Sequence, residues 1–449
     1  MPLNNDENKK APLANTDFIS EKIKQRPINK KKLFRRTMIT VTLAVLFGIV
    51  ACFTFLFLQP VFSDRMFPEK EPEEVSFPAE SASDELTPEE MFADDNEIAA
   101  SEAQSFEASQ KDQIDEAIAS YAFDSSDYGK MMNSLKDLAT TANRSMVKVT
   151  AVTSDANWFS ESFENSGTTS GVIVADNGIS IFILAPYSAV EEAESIRVTF
   201  CDNTSAQATI RLADSISRFC VITVRHSVIP DGTMDHILVA PLGSSNSNSI
   251  TGRPVIAVGS PIGVQDSIAY GIITSEKMPL DMADSDYKLL TTDILGSSSG
   301  SGALINLTGQ VVGIIDMSHA TEDLKNNICA VGITELKSLI EDLSNLHERA
   351  YLGVHGTTIP DDIRAQQNIP AGAYITQTEL NSPAMKAGIQ SGDIITAIDD
   401  VEVASYELLV NKLAGFKPDD IITVTVMRQA PSDYISLDIE VTLESSTHN

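Results

Sequence analysis

The chain has 449 residues, enough for two to three domains of ordinary size. It carries 32 Lys and Arg against 63 Asp and Glu, a formal net charge of −31, which argues against nucleic acid as a partner because phosphate binding needs a basic surface. Four cysteines (Cys52, Cys201, Cys220, Cys329) without a C-x-x-C pair exclude a metal framework and a full disulfide scaffold; Cys201 and Cys220 pair only if their two strands meet.

Residues 1–37 hold ten Lys and Arg against four acids and show no apolar periodicity, the composition of a disordered basic arm. Met38 to Leu58 follows, 21 residues without a charge, long enough as a helix to cross a hydrocarbon layer of about 30 Å. Only Arg65 and Lys70 lie just beyond it, so the expected orientation has the N-terminus in the cytoplasm and everything after residue 60 outside. A cleaved signal peptide would have a shorter apolar core ending in a small-x-small site. Here Gln59-Pro60-Val61-Phe62 follows, which favours an uncleaved signal anchor. The basic arm beside such a span reads as a topology determinant and a contact for anionic lipid. From Asp64 to Asp127 twenty Asp and Glu face three cations, so residues 59–127 are expected to form an acidic, self-repelling, disordered stalk, with room for a short helix near Asp112 to Ala122.

Order is expected from Tyr128. Met131 to Ala142 has apolar residues at helical spacing, and Ser145 to Val152 alternates like a strand. Short β runs recur at Ser170 to Val174, Ile179 to Ala185, Ser195 to Phe200, Ala206 to Leu212, Phe219 to Val224, His236 to Val239, Pro254 to Val258, Ser267 to Thr274, Lys288 to Thr292, Ala303 to Leu307, Gln310 to Ile314 and Ile328 to Ile333. Such a series predicts an all-β sandwich or paired barrels over residues 128–348, closed by a helix over Glu335 to His347.

The stretch TTDILGSSSGSGALINLTGQVVGI, Thr291 to Ile314, places a small-residue loop, Gly296 to Gly302, at the entrance of a hairpin. Such a loop can aim successive backbone N–H groups at one point, as an oxyanion hole beside a serine nucleophile requires. A small-residue hairpin loop without chemistry has the same composition.

These words resemble the nucleophile loop of trypsin-like serine proteases of the HtrA/Deg family, T-D-x-x-I-N-P-G-N-S-G-G-P-L-V-N. Ser299-Gly300-Ser301 matches its S-G-G, making Ser299 the candidate nucleophile; an ungapped count back from Asn306 places Gly300 there instead. Further matches are Thr169 to Val174, Gly259-Ser260-Pro261-Ile262-Gly263, Tyr270-Gly271-Ile272-Ile273 and Cys329-Ala330-Val331. The resemblance implies a trypsin-like double β-barrel. In the family the catalytic histidine lies in I-L-T-N-N-H-V-V-E and the aspartate in D-x-x-T-D-L-A-V-L; the corresponding positions here are Ser188 and Arg218, neither of which accepts a proton near neutral pH. His226 and His236 flank a predicted loop, but none of the six histidines occurs in a word like the catalytic one. The resemblance therefore implies a degenerate serine protease, and an active endopeptidase using Ser299 would need a base from elsewhere.

Residues 349–443 contain YLGV, NSPAMKAGIQSGDIITAIDDVEV and LAGFKPDDIITVTVMR, which resemble an α+β PDZ domain of the bacterial protease type. Tyr351, Leu352, Gly353 and Val354 are then the candidate peptide-binding loop, whose N–H groups would hold a C-terminal carboxylate while an adjoining strand edge accepts an extended peptide. A PDZ fold can also serve only as packing for its neighbour. The resemblance implies no metal and no cofactor, protein C-termini or extended peptides as partners, and assembly as trimers or with active family members.

Overall fold

The computed structural model describes residues 34–35, 38–50, 53–54, 73–78, 124–152, 167–246, 250–431 and 433–448. Residues 38–50 and 53–54 are helical and exposed, and among the described residues no helix is long and apolar enough to cross a membrane. The remainder of the expected span, most of the basic arm and the expected 112–122 helix lie outside the described residues. The stalk departs from expectation at residues 73–78. Val75 is buried, and its N–H and C=O both bond the Asn345 side-chain amide, at 3.0 and 2.8 Å. The Phe77 N–H donates to the Glu341 carboxylate. Two apolar side chains in an acidic run suffice to seat it on the core.

Helix α1 (Ser125–Asn143) starts at a reciprocal cap in which Asp124 accepts the Ser126 and Asp127 N–H groups and the Asp127 carboxylate accepts the Asp124 N–H. Six strands follow: β1 (Met146–Val152), β2 (Thr168–Asp176), β3 (Ser180–Pro186), β4 (Ser195–Thr199), β5 (Ser205–Asp214) and β6 (Phe219–Arg225). They pair in the order β5-β4-β1-β2-β3-β6, and β5 also pairs with β6, which closes a barrel. After the short helix α2 (Asp231–Met234), residues 236–239 form no strand, contrary to expectation. The His236 ring bonds the Gly232 carbonyl, the Leu238 N–H goes to Arg144 and the Ala240 N–H to Ile173, so the donors reach separate residues instead of one ladder.

A second closed barrel comprises β7 (Pro254–Ser260), β8 (Ser267–Pro279), β9 (Lys288–Leu295), β10 (Ser301–Ile305), β11 (Val311–Asp316) and β12 (Asn327–Gly332), and helix α3 (Ile333–Asn345) follows. Alternating side chains fill each barrel, Val149, Ile183 and Ile222 in the first and Ile273, Leu290 and Leu304 in the second. A third cluster joins Val172, Leu184 and Phe219 to Ile256, Val258 and Ala303, so the barrels share one apolar seam. The buried Ser301 hydroxyl accepts the Ser170 N–H across that seam at 3.0 Å. Cys201 is exposed, Cys220 and Cys329 are buried, and all three are free thiols; burial pushes Cys220 up to about 12.

The remaining elements are β13 (Ala350–Tyr351), β14 (Val354–Thr358), α4 (Asp361–Gln367), β15 (Ala373–Thr378), α5 (Pro383–Ala387), β16 (Ile394–Ile398), β17 (Val401–Glu402), α6 (Tyr406–Leu413), β18 (Ile421–Gln429), β19 (Tyr434–Thr442), β20 (Glu444–Ser445) and β21 (Thr447–His448). Strands β14-β15-β16-β18-β19 form one sheet with β17 on β16. Its core includes Leu352, Ile375, Leu409 and Val424. The chain past Leu443 returns to its neighbours, with β20 on β13 and β21 on β5 of the first barrel.

Candidate functional site

The loop between β9 and β10 is shaped by its own hydrogen bonds. Strand β10 pairs continuously with β7 from Ser301 opposite Ser260 to Ile305 opposite Ile256, so the residue just before the strand is Gly300 and Ser299 precedes it. The Gly300 N–H donates to the Ser297 carbonyl at 2.8 Å, and the Ser299 N–H to the Ser297 hydroxyl at 3.2 Å. Further back, the Ser297 N–H goes to the Pro261 carbonyl and the Gly296 N–H to the Asn326 carbonyl. An oxyanion hole needs such donors aimed at a point that substrate will occupy. These four are spent on the protein itself. A Cβ at position 300 would stand 2.7 Å from the Pro261 oxygen and 2.9 Å from the Ser297 oxygen, so this loop conformation has no room there for a side chain.

Ser299 is exposed, its Oγ 2.9 Å from Ser297 Oγ. Ser188 is exposed in a 3₁₀ turn after β3, and Arg218 is exposed just before β6 with φ of 59°. The Arg218 carbonyl accepts the Tyr187 N–H at 2.7 Å, which ties these two positions together through the backbone. His226 Nε2 is 2.8 Å from Asp176, His236 Nδ1 is 2.6 Å from the Gly232 carbonyl, and His319 and His347 lie beside Asp316 and Asp342. Among the described residues no imidazole is hydrogen-bonded to Ser299 or Ser188.

The second candidate site is the loop before β14. Leu352, Gly353 and Val354 turn their N–H groups toward one point, and Gly353 permits this with φ of 82°, where a Cβ would also meet Ser382 at 2.3 Å. A carboxylate occupies that point, the side chain of Asp284 in the β8–β9 connection. Its Oδ2 accepts the Leu352 and Gly353 N–H groups at 2.7 Å each, and its Oδ1 accepts the Val354 N–H at 3.0 Å. Burial pushes Asp284 up to about 6, against the lowering effect of these three donors. Beside it, His355 Nδ1 lies 2.7 Å from Asp281 and Nε2 2.7 Å from Glu379, so both nitrogens face carboxylates; burial lowers the ring's pKa, but these two carboxylates outweigh it and raise it. The loop is legible in the sequence, whereas Asp284, His355 and Glu379 are not. An acid in a polar connection carries no local sign that its partner lies some seventy residues on.

No group of three or more His, Cys, Asp or Glu suited to a metal ion occurs among the described residues. In comparisons with known proteins, residues 169–314 match the family described as trypsin-like peptidase domain, and residues 342–442 match the PDZ domain. The serine protease Do-like HtrA of Bacillus subtilis is 27% identical over 335 residues, covering 68% of this chain and 72% of the relative. Its HtrB counterpart from the same organism is 25% identical over 297 residues, covering 62% and 63%. A serine protease HtrA-like protein of Staphylococcus aureus is 23% identical over 275 residues, 57% of this chain but only 35% of that protein. Among solved structures, the HtrA-type protease AlgW with tripeptide aligns with a TM-score of 0.49 at 20% identity, covering 69% of this chain and 97% of the other.

Proposed function

We propose, from the premise that this chain is an HtrA/Deg-like protein with a trypsin-like peptidase domain followed by a PDZ domain, that it binds polypeptides without cleaving them. The observation that carries this reading is the state of the β9–β10 loop. The residue before β10 has no side chain, and the neighbouring N–H groups are donated to Ser297, Pro261 and Asn326. Ser188 and Arg218, at the positions of base and orienting acid, add to it, because neither takes a proton near neutral pH. Loss of base or nucleophile alone removes about a millionfold in rate in a serine protease.

Binding then rests on the PDZ domain. Three converging N–H groups suit the terminal carboxylate of a peptide, and the edge of β14 facing α6 suits its extended backbone. The apolar, uncharged segment 38–58, preceded by ten cations, supports a single membrane anchor with the N-terminus in the cytoplasm and both domains outside. In that position the ligands are C-termini or extended segments of unfolded envelope proteins, and self-assembly or association with active relatives would place the groove near a working protease.

The decisive experiment treats the full chain and its Ser299→Ala variant with a fluorophosphonate serine probe and follows casein cleavage. Neither labelling nor cleavage by either form is the expected result. Labelling and cleavage that vanish in the variant would establish an active endopeptidase with Ser299 as nucleophile.

A further inference from the structure

We propose that Asp284 is a built-in occupant of the PDZ carboxylate site, so that the domain captures a free C-terminus only after residues 280–287 are displaced from it. This inference rests on the reading of Leu352, Gly353 and Val354 as the ligand loop.

A side-chain carboxylate and a C-terminal carboxylate present the same two oxygens. Here both Asp284 oxygens are used, and together they saturate all three loop donors. The Asp284 main chain adds a peptide-like contact, its N–H donating to the Val354 carbonyl at 2.8 Å. Tyr406, the first residue of α6, donates its hydroxyl to the same carbonyl at 2.9 Å. The inserted segment thus lies at the end of the groove between β14 and α6. Leu280, Met282, Ala283, Ser285 and Tyr287 are buried around it, and His355 clamps it through Asp281.

The contact is costly, which favours a switch over inert packing. A half-buried carboxylate is held on backbone donors, and its residue adopts φ of 51°. Among the described residues, a single main-chain hydrogen bond joins the segment to β14. An extended peptide would supply the same carboxylate and add a ladder along the β14 edge, so it has a differential affinity for the open form. Displacement moves the connection between β8 and β9, the second of which leads into the Gly296–Gly302 loop, so ligand capture is mechanically coupled to the second barrel.

The test uses the full chain as wild type, Asp284→Ala and Asp284→Asn. Two readings are taken: amide hydrogen exchange across residues 351–358, and fluorescence anisotropy with a labelled decapeptide pool randomised at its last four positions. The pool is prepared with a free C-terminal carboxylate and, separately, amidated. If the site is closed in nine molecules of ten, opening it raises apparent affinity about tenfold. Asp284→Ala is expected to speed exchange at 352–354 and to tighten binding of the carboxylate pool about tenfold or more, with no gain for the amidated pool. Asp284→Asn, which keeps the volume and one acceptor, moves both readings in the same direction by less. Unchanged exchange overturns the proposal, as does faster exchange without tighter binding when the wild type binds the carboxylate pool. If no form binds either pool, the peptide-capture reading fails, and exchange alone still decides whether Asp284 holds the loop shut.

Discussion

The Ser299 hydroxyl faces the Ser297 hydroxyl at 2.9 Å, a pairing of two neutral groups where a protease would place serine against imidazole. On the proposed reading, its consequence is that supplying a base at Ser188 and an acid at Arg218 is not enough. The double variant Ser188→His with Arg218→Asp is expected to stay at background in fluorophosphonate labelling and casein cleavage, because the loop donors remain bonded to Ser297, Pro261 and Asn326. Labelling above background in that variant would show that the loop opens readily. Gly300→Ser in the same chain is expected to cost about 1–3 kcal/mol in a denaturant melt, the usual range for forcing atoms into a filled site.

Asp393 and Arg428 form a two-pronged ion pair in the PDZ domain, with Nε to Oδ1 and Nη2 to Oδ2 both at 2.7 Å and the carboxylate 1% exposed. The same guanidinium donates to the Gly388 carbonyl at 2.8 Å, tying the end of α5 to β18. Removing the guanidinium leaves the buried Asp393 carboxylate with the Gln390 N–H as its remaining partner. Arg428→Ala is therefore expected to destabilise the PDZ domain by about 3 kcal/mol, seen as a lower denaturant midpoint, with Arg428→Lys recovering only part because it cannot make the two-pronged contact. A loss under about 1 kcal/mol would mean that water replaces the guanidinium.

Much of this fold was readable because several of its barrel strands are buried on both faces. Ile181 to Ala185 and Val255 to Val258 are unbroken apolar runs, and Asn177-Gly178 marks the hairpin between β2 and β3 by side-chain bonds to the next backbone donors. Strand β19 also carries its signal, with Ile435, Leu437, Ile439 and Val441 alternating. Helix α4 has too few residues to establish a period. At the sites, Leu352 to Val354 were legible as a motif, whereas Asp284 was not, since hydrogen bonds between distant loops leave no periodic trace. The identities of Ser188 and Arg218 were visible as residue types, but the internal bonding of the Gly296–Gly302 loop depends on backbone angles that small residues leave open.

Acidification should close the PDZ site. Burial holds the Asp284 carboxyl near 6 in the closed form, and on opening it returns to its ordinary value near 3.8. The closed form therefore binds a proton that the open form releases. Its advantage from this group is complete below about 3.8 and is lost as pH rises through about 6. His355 acts in the same sense: burial lowers its ring, but the carboxylates of Glu379 and Asp281 outweigh burial and raise it, and opening removes Asp281. Tyr351 and Tyr406, which also face Asp284, are both raised by burial and stay neutral over this range, and Asp286 is raised by burial in the same segment. Binding of the carboxylate peptide pool to the wild-type chain is expected to weaken on the order of tenfold from pH 7.5 to pH 5. Asp284→Ala should lose most of that dependence. Binding that strengthens on acidification would show that the three donors favour the anion more than burial penalises it.

The docked part of the acidic linker gives a separate prediction. Asn345, the last residue of α3, closes a two-way bond with the Val75 main chain, and the Glu341 carboxylate one turn earlier accepts the Phe77 N–H. These contacts hold residues 73–78 against α3 through backbone groups, so side-chain changes within the linker other than at Val75 and Phe77 should matter little. Asn345→Ala leaves the Val75 N–H and C=O without that partner in a partly buried position, a loss of about 1–2 kcal/mol for the docked state. Beyond this, the docked segment is held by the Phe77 N–H and by Val75 and Phe77 packed on the core, since its acids are exposed in a chain of strongly negative charge. Limited proteolysis with an acid-specific protease is then expected to cut at Glu73 and Glu74 several-fold faster in Asn345→Ala than in the wild type, with the unfolding midpoint of the barrels nearly unchanged. Equal cutting rates in the two chains would mean that the segment is released in solution before any substitution is made.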